Sequence, residues 1–352
     1  MPDFDTLVPA DIPMFHVEWE TTLKCNLDCS YCGDGHDNKS SHPSLDDSIK
    51  TIDFILEYVE RYTKNKPDNQ KHVNLNVFGG ESFFHPNIKE ILEHADKQRK
   101  KYDGFTFNIS TITNAVVGPT QWKEIVPLLD YFTVSYHAEA NNKQKRMLRN
   151  NILHLKEQDK KFHVSIMMHP DHWQDCQNMI EWCKEQNVSY NARQIDHSWL
   201  DLRFNYSKEQ KAFLTGKKES TILERAGALI KGGFDLSSEG RKCCGGGLLC
   251  ANDTVCDYVK GNNFKGWHCS VNEFFLYIRQ VTGEVFTNKD CKMNFDGSVG
   301  PIGYLSDTKS ILDRIGKTDT IICKKKSCWC GLCAPKAKSQ KDYEIIMKDF
   351  RC

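Results

Sequence analysis

The chain has 352 residues, enough for one large domain or two ordinary ones, and its 47 basic residues balance its 47 acidic ones. Zero net charge excludes a global field that would recruit nucleic acid or an anionic membrane. The acidic start MPDFDTLVPADIP differs from a signal peptide, and apolar runs such as FFLYI at 274–278 fall far short of the ~20 residues of a membrane span, so a cytoplasmic protein is expected.

FHVEWETT (15–22) reads as a strand that leads directly into KCNLDCSYCGDG. Ser44, with Asp47 three residues on, is an N-cap signature, and Ile49, Ile52, Leu56 and Val59 fall on one face of the helix that follows. HVNLNVFGG (72–80) is a strand ending in paired glycines, and 87–102 reads as a helix. FTFNIST (105–111) stops at the turn-like TNA, with a helix near 119–129. YFTVSYH (131–137), a helix at 141–158, FHVSIMM (162–168), a helix at 172–186 and VSYNARQI (188–195) complete the series.

Six strands alternating with helices imply an α/β fold with a parallel sheet and right-handed crossovers. Periodicity alone leaves open whether the units curl into an open barrel or stay flat. In either geometry active groups gather at the C-terminal strand ends. That is where the cysteine loop, Gly79-Gly80-Glu81 and Thr113-Asn114 fall.

Past residue 205 the texture changes. Helical periodicity fades after 231, glycines become dense, and eleven of the sixteen cysteines crowd into the last third. The expected division is an α/β unit over 12–205, a linking helical region over 206–240, and a cysteine-rich unit over 241–352. In a long chain without an export signal, metal or iron–sulfur ligation is favoured over disulfides. Cys176 and Cys183, seven apart on a helix, are expected to be buried thiols.

Cys25, Cys29 and Cys32 form CxxxCxxC, with Tyr31 before the last cysteine. Three thiolates can hold three corners of a [4Fe–4S] cubane and leave the fourth iron open to a small molecule. A zinc site completed by His36 is the alternative. The glycines at 79 and 80 permit close backbone approach to a ligand, and Glu81 offers a carboxylate to an ammonium group, the alternatives being a plain strand end and a solvated side chain.

CxxxCxxC after the first strand, joined to Gly79-Gly80-Glu81 after the second and to six β/α units, resembles the radical S-adenosylmethionine (radical SAM) superfamily over residues 12–200. The resemblance implies a partial (β/α)6 barrel. It also implies a [4Fe–4S] cluster on Cys25, Cys29 and Cys32 that chelates SAM, and reductive cleavage to a 5′-deoxyadenosyl radical that takes a hydrogen atom from substrate. Gly79, Gly80, Glu81, Ser110, Thr113, Asn114, Ser135 and Arg193 occupy positions like those of the family's SAM contacts; ordinary turn chemistry or an ion pair would also explain the last five. His137, Asp196 and His197 are candidate acids or bases at strand ends.

The last third resembles the SPASM or twitch extensions of that superfamily, which implies one or two auxiliary [4Fe–4S] clusters. Its candidate ligands are Cys269, Cys291, Cys323, Cys328, Cys330, Cys333 and Cys352, with Cys243, Cys244, Cys250 and Cys256 as further ones. The run CKKKSCWCGLC, C-x4-C-x-C-x2-C, departs from the family's spacing, as does Gly283 to Cys291, and a four-cysteine zinc site at 323–333 is the alternative. The chain's end, DFRC, lacks the GG tail of a molybdopterin-type member.

The function expected is modification of a peptide or protein side chain. The alternatives are the same chemistry on a sugar, nucleotide or amino-acid derivative, or a non-catalytic zinc or iron–sulfur protein. Expected partners are SAM, an electron donor such as flavodoxin or ferredoxin, and the peptide or small-molecule substrate. Only 24 residues precede Cys25, so a separate leader-recognition protein is expected for a leader peptide.

Overall fold

Most strands of the first half alternate between a largely apolar face and a largely polar one, and that alternation organises the sheet. The computed structural model describes residues 6–7, 14–32, 37–195, 204–216, 264–289, 291–294, 298–316, 320–324 and 334–351. In chain order the elements are β1 (Thr6–Leu7), β2 (Met14–Glu20), α1 (Leu45–Thr63), β3 (His72–Phe78), α2 (Ile88–Arg99), β4 (Thr106–Thr113), α3 (Pro119–Ile125), β5 (Tyr131–His137), α4 (Asn142–Glu157), β6 (Lys161–Met168), α5 (Trp173–Glu185), β7 (Tyr190–Gln194) and α6 (Lys208–Gly216). The C-terminal part adds β8 (His268–Cys269), α7 (Val271–Phe274), β9 (Phe275–Arg279), β10 (Glu284–Phe286), β11 (Gly303–Tyr304), α8 (Thr308–Leu312), β12 (Ile321–Ile322), β13 (Lys336–Ala337) and α9 (Gln340–Arg351).

The strands and helices expected over 15–195 are present, with ends shifted by up to four residues. Ser44 caps α1 by accepting the Asp47 N–H at 3.0 Å. The helix expected near 119–129 ends as a 3-10 turn at Val126–Leu128, where Pro127 lacks the N–H that would continue it. Strands β2 to β7 run parallel in sequence order, as a partial (β/α)6 barrel requires.

The apolar face of these strands packs on the helices. Phe15, Val17 and Trp19, then Val73, Leu75 and Val77, then Phe132 and Val134, are buried in one cluster with Ile52, Ile55, Ile91 and Ile152 from the helices. Each such side chain contributes roughly 1.5–3 kcal/mol when fully buried. The opposite face carries Glu18, Asn74, Asn76, Asn108, Ser110, Thr133, Ser135 and Asn191, mostly half-buried. Parallel sheets are usually covered on both faces. A polar, partly open second face is the signature of a lumen.

The C-terminal part does not stand apart from this sheet. β9 adds to it parallel to β2, from His16↔Phe275 to Glu20↔Arg279, and β10 and β11 extend it antiparallel. Thr282-Gly283 forms the β9–β10 turn, where Gly283 takes φ +70°, a region costly for other residues. Glu20 welds the addition: its Oε2 accepts the Tyr277 hydroxyl at 3.1 Å and Arg279 Nε at 3.3 Å, and its carbonyl accepts the Gln280 N–H. A small second sheet orders β1, β13, β8 and β12. Among the described residues no helix is long and apolar enough to cross a membrane.

The end of β3 then fixes the cysteine loop. Thr21 N–H donates to Phe78 O, Gly80 N–H to Thr22 O and Glu81 N–H to Lys24 O, all at 2.8 Å. The two backbones run so close that a Cβ on Gly79 would lie 2.3 Å from Thr22 O, and one on Gly80 2.4 Å from Lys24 O. The close approach these glycines permit is therefore to the loop's own backbone. Gly80→Ala should destabilise the fold by about 3 kcal/mol, because rigid backbone cannot yield to the added methyl. Gly104→Ala, whose Cβ meets nothing within 4 Å, should stay within about 0.5 kcal/mol in the same urea titration.

Candidate functional site

Glu81 is the hub beneath the cysteine loop. It is buried rather than solvated, and its carboxylate accepts Phe83 N–H at 3.0 Å, the Thr113 hydroxyl at 2.9 Å and Asn114 N–H at 2.6 Å. Burial pushes its carboxyl up to about 6, against the pull of those three donors. The ends of β3 and β4 are thereby joined. Ala115 sits at φ +52°, a strained conformation for alanine, and the Thr113 and Asn114 side chains each bond the backbone two residues on.

That turn aims Asn114 at the cysteine loop. Its Nδ2 donates to Asn26 Oδ1 at 2.8 Å and lies 3.8 Å from Cys25 Sγ, which also accepts Leu27 N–H at 3.4 Å. Asn26 Nδ2 donates to Val116 O, and Gln144 Nε2, in the first turn of α4, donates to Asn26 O. Ser30 N–H donates to Glu139 Oε2 at 2.8 Å, and the Tyr31 hydroxyl pairs with His137 Nδ1 at 2.7 Å. The Tyr31 ring lies among His137, His169 and Phe204. Four strand or helix ends thus brace the loop between residues 21 and 31.

The donor set fits an iron–sulfur cluster. Cys25 and Cys29 are partly buried and Cys32 is exposed. Burial pushes the Cys25 thiol up to about 11 and the Cys29 thiol to about 12, and mutual repulsion among the three cysteines adds to the rise. Neutral thiols are favoured until a cationic centre offsets that repulsion, because the ligand is the thiolate. N–H donors aimed at Cys25 Sγ suit such a thiolate. Among the described residues no three His, Cys, Asp or Glu side chains converge tightly enough to chelate one ion. His36 lies outside the described residues.

Of the other expected site residues, Ser110 lies on the lumen face and accepts Asn74 Nδ2 at 2.9 Å. Ser135 is half-buried on the same face, in register with Ser165, and Arg193 pairs in register with Met167 at the β7 edge. His137 is held against Tyr31, and burial lowers its pKa to about 4. Asp196 and His197 lie outside the described residues. The sequence reading missed Asn26, whose side chain ties the loop to Asn114 and Val116, and Glu139 and Gln144, which bond the loop's backbone from distant segments. It also missed the polar face, although the alternation in HVNLNVF signals it.

Cys176 and Cys183 are buried on α5, as expected. Cys269, Cys291 and Cys323 come from three separated segments and are buried together among Phe264, Trp267, Met293 and Ala334. β8 lies between β12 and β13, pairing Cys269 with both Ile321 and Lys336. Cys243, Cys244, Cys250, Cys256, Cys328, Cys330, Cys333 and Cys352 lie outside the described residues.

Comparison with known proteins accords with this geometry. No curated protein matches the chain in sequence. Among solved structures, native anSMEcpe with bound AdoMet is similar at a TM-score of 0.52 and 13% identity, over 87% of this chain and 82% of that one. Streptococcus suis SuiB bound to S-adenosylmethionine is similar at a TM-score of 0.52 and 11% identity, over 85% of this chain and 65% of SuiB. SuiB bound to precursor peptide SuiA gives 0.50 and 12%, over 85% and 64%. At these identities the likeness is one of fold. The family model of the Radical SAM superfamily matches residues 19–183, the stretch that holds the cysteine loop and most of the parallel sheet.

Proposed function

We propose that this protein is a radical SAM enzyme acting on a peptide or protein side chain. The observation that carries the reading is a three-thiol loop braced by the ends of β3, β4, β5 and α4 beside a polar lumen. A [4Fe–4S] cluster on Cys25, Cys29 and Cys32 would supply the electron for reductive cleavage of SAM, and so the radical chemistry that takes hydrogen from substrate. Cys25, Cys29 and Cys32 hold the cluster. Glu81 contributes buried negative charge beneath a cationic ligand and fixes Asn114; Gly79 and Gly80 seat the loop's backbone, and Ser110, Thr113, Ser135 and Arg193 complete the SAM cradle. Tyr31, wedged among His137, His169 and Phe204, keeps water from one side of the loop.

The peptide reading is supported by the likeness in fold to SuiB, solved with precursor peptide SuiA, and to anSMEcpe, solved with the Cp18Cys peptide. A second reading, a hydroxylated or amide-bearing small molecule, is favoured by the Asn, Ser and Thr side chains along the lumen face. We assign Cys269, Cys291 and Cys323 to an auxiliary cluster, with cysteines of the 328–333 run as its further ligands. Both Cys323 and Ala334, which flank that run, lie in the same buried group. The electron donor is proposed to be a flavodoxin or ferredoxin, and a separate protein would present any leader peptide.

Anaerobically reconstituted, reduced protein should convert SAM to 5′-deoxyadenosine, and the Cys25→Ala/Cys29→Ala/Cys32→Ala variant should not. Deuterium appearing in 5′-deoxyadenosine from deuterated peptides, rather than from deuterated metabolites, would select the first substrate class. Iron analysis should give about eight or twelve irons per chain, and about four would remove the auxiliary cluster. Glu81→Gln should cost about 1–3 kcal/mol in urea unfolding, since one amide oxygen cannot serve donors that now approach two carboxylate oxygens.

A further inference from the structure

Glu139 lies in the turn between β5 and α4, 109 positions from the loop it touches. Its Oε2 accepts the Ser30 N–H, which sits inside the Cys29–Cys32 interval. Its Oε1 stands 3.6 Å from Nε2 of His169, a buried ring just past β6, and the glutamate side chain is only 21% exposed. Glu81, by contrast, spends its carboxylate on three donors. Glu139 therefore meets the loop through a backbone hydrogen bond and sets a carboxylate beside the Cys29–Cys32 interval.

We propose that Glu139 is a positioning residue for the loop's iron–sulfur cluster, its hydrogen bond fixing the Cys29–Cys32 backbone and its charge lowering the cluster's reduction potential. The inference rests on the radical SAM reading. The redox step is the gain of one electron by [4Fe–4S]2+ to give [4Fe–4S]+, delivered in the test by dithionite-poised mediators, with no bond made or broken. A fixed negative charge opposes that gain, and does so more strongly where water is partly excluded. A lower potential makes the reduced cluster a stronger donor to SAM.

The test is an EPR-monitored potentiometric titration without SAM, together with the rate of iron release to a chelator. The loop cluster's signal is the one lost in the Cys25→Ala/Cys29→Ala/Cys32→Ala variant. Glu139→Gln keeps an acceptor for Ser30 and removes the charge; its midpoint should move to a less negative value with iron release unchanged. Glu139→Asp keeps the charge but draws it back by one methylene; its midpoint should stay near wild type while iron is released faster. An unchanged midpoint in the Gln variant, or wild-type iron release in the Asp variant, overturns the proposal. If the Gln variant does not load iron, the Asp variant decides by the same two readouts. A loop signal absent from wild-type protein would sink the enzyme reading itself, which separates that failure from this one.

Discussion

The structure depends on a backbone-to-backbone contact that leaves no room for side chains. Residues 21–24, leaving β2, continue to pair with residues 78–81, leaving β3, and the spacing is so close that only glycine fits at 79 and 80. This contact converts the cysteine loop from a surface excursion into an extension of the sheet. Once it is set, Glu81 is carried under the loop, and its carboxylate draws in Thr113 and Asn114 from the next strand. Asn114 then reaches back to Asn26 and Cys25. The chain of contacts closes on itself.

Polar groups dominate that closure, and its energetics follow from burial. A carboxylate 2% exposed is tolerated only because donors meet both oxygens, and the rise of its pKa to about 6 measures what remains uncompensated. The thiols show the same tension, since burial and mutual repulsion both hold them protonated. A site assembled under such strain favours occupation by a cationic centre, which relieves it.

The C-terminal addition is tied to the same place. β9 pairs with β2 up to Glu20, one residue before the loop begins, and Tyr277 stacks between Phe78 and Phe286. Cys269 and Cys291 flank the β9–β10 hairpin in the chain, which ties the buried group they share with Cys323 to the strand that presents Cys25. The cysteine-rich region reads as a separate texture in the sequence, yet its hairpin is part of the main sheet.

What the sequence by itself determined is local. Period-two alternation wrote β2 to β7, Ser44 and Asp47 wrote the start of α1, and CxxxCxxC followed by Gly-Gly-Glu marked the chemical end of the strands, because each depends on near neighbours and their dihedral preferences. What only the tertiary structure decided is non-local. That Gly79 and Gly80 serve the loop's backbone, that Glu139 answers Ser30 across 109 positions, and that β9 joins β2 all rest on pairings between distant segments. No periodicity encodes such pairings, because their partners are chosen by the packed sheet as a whole.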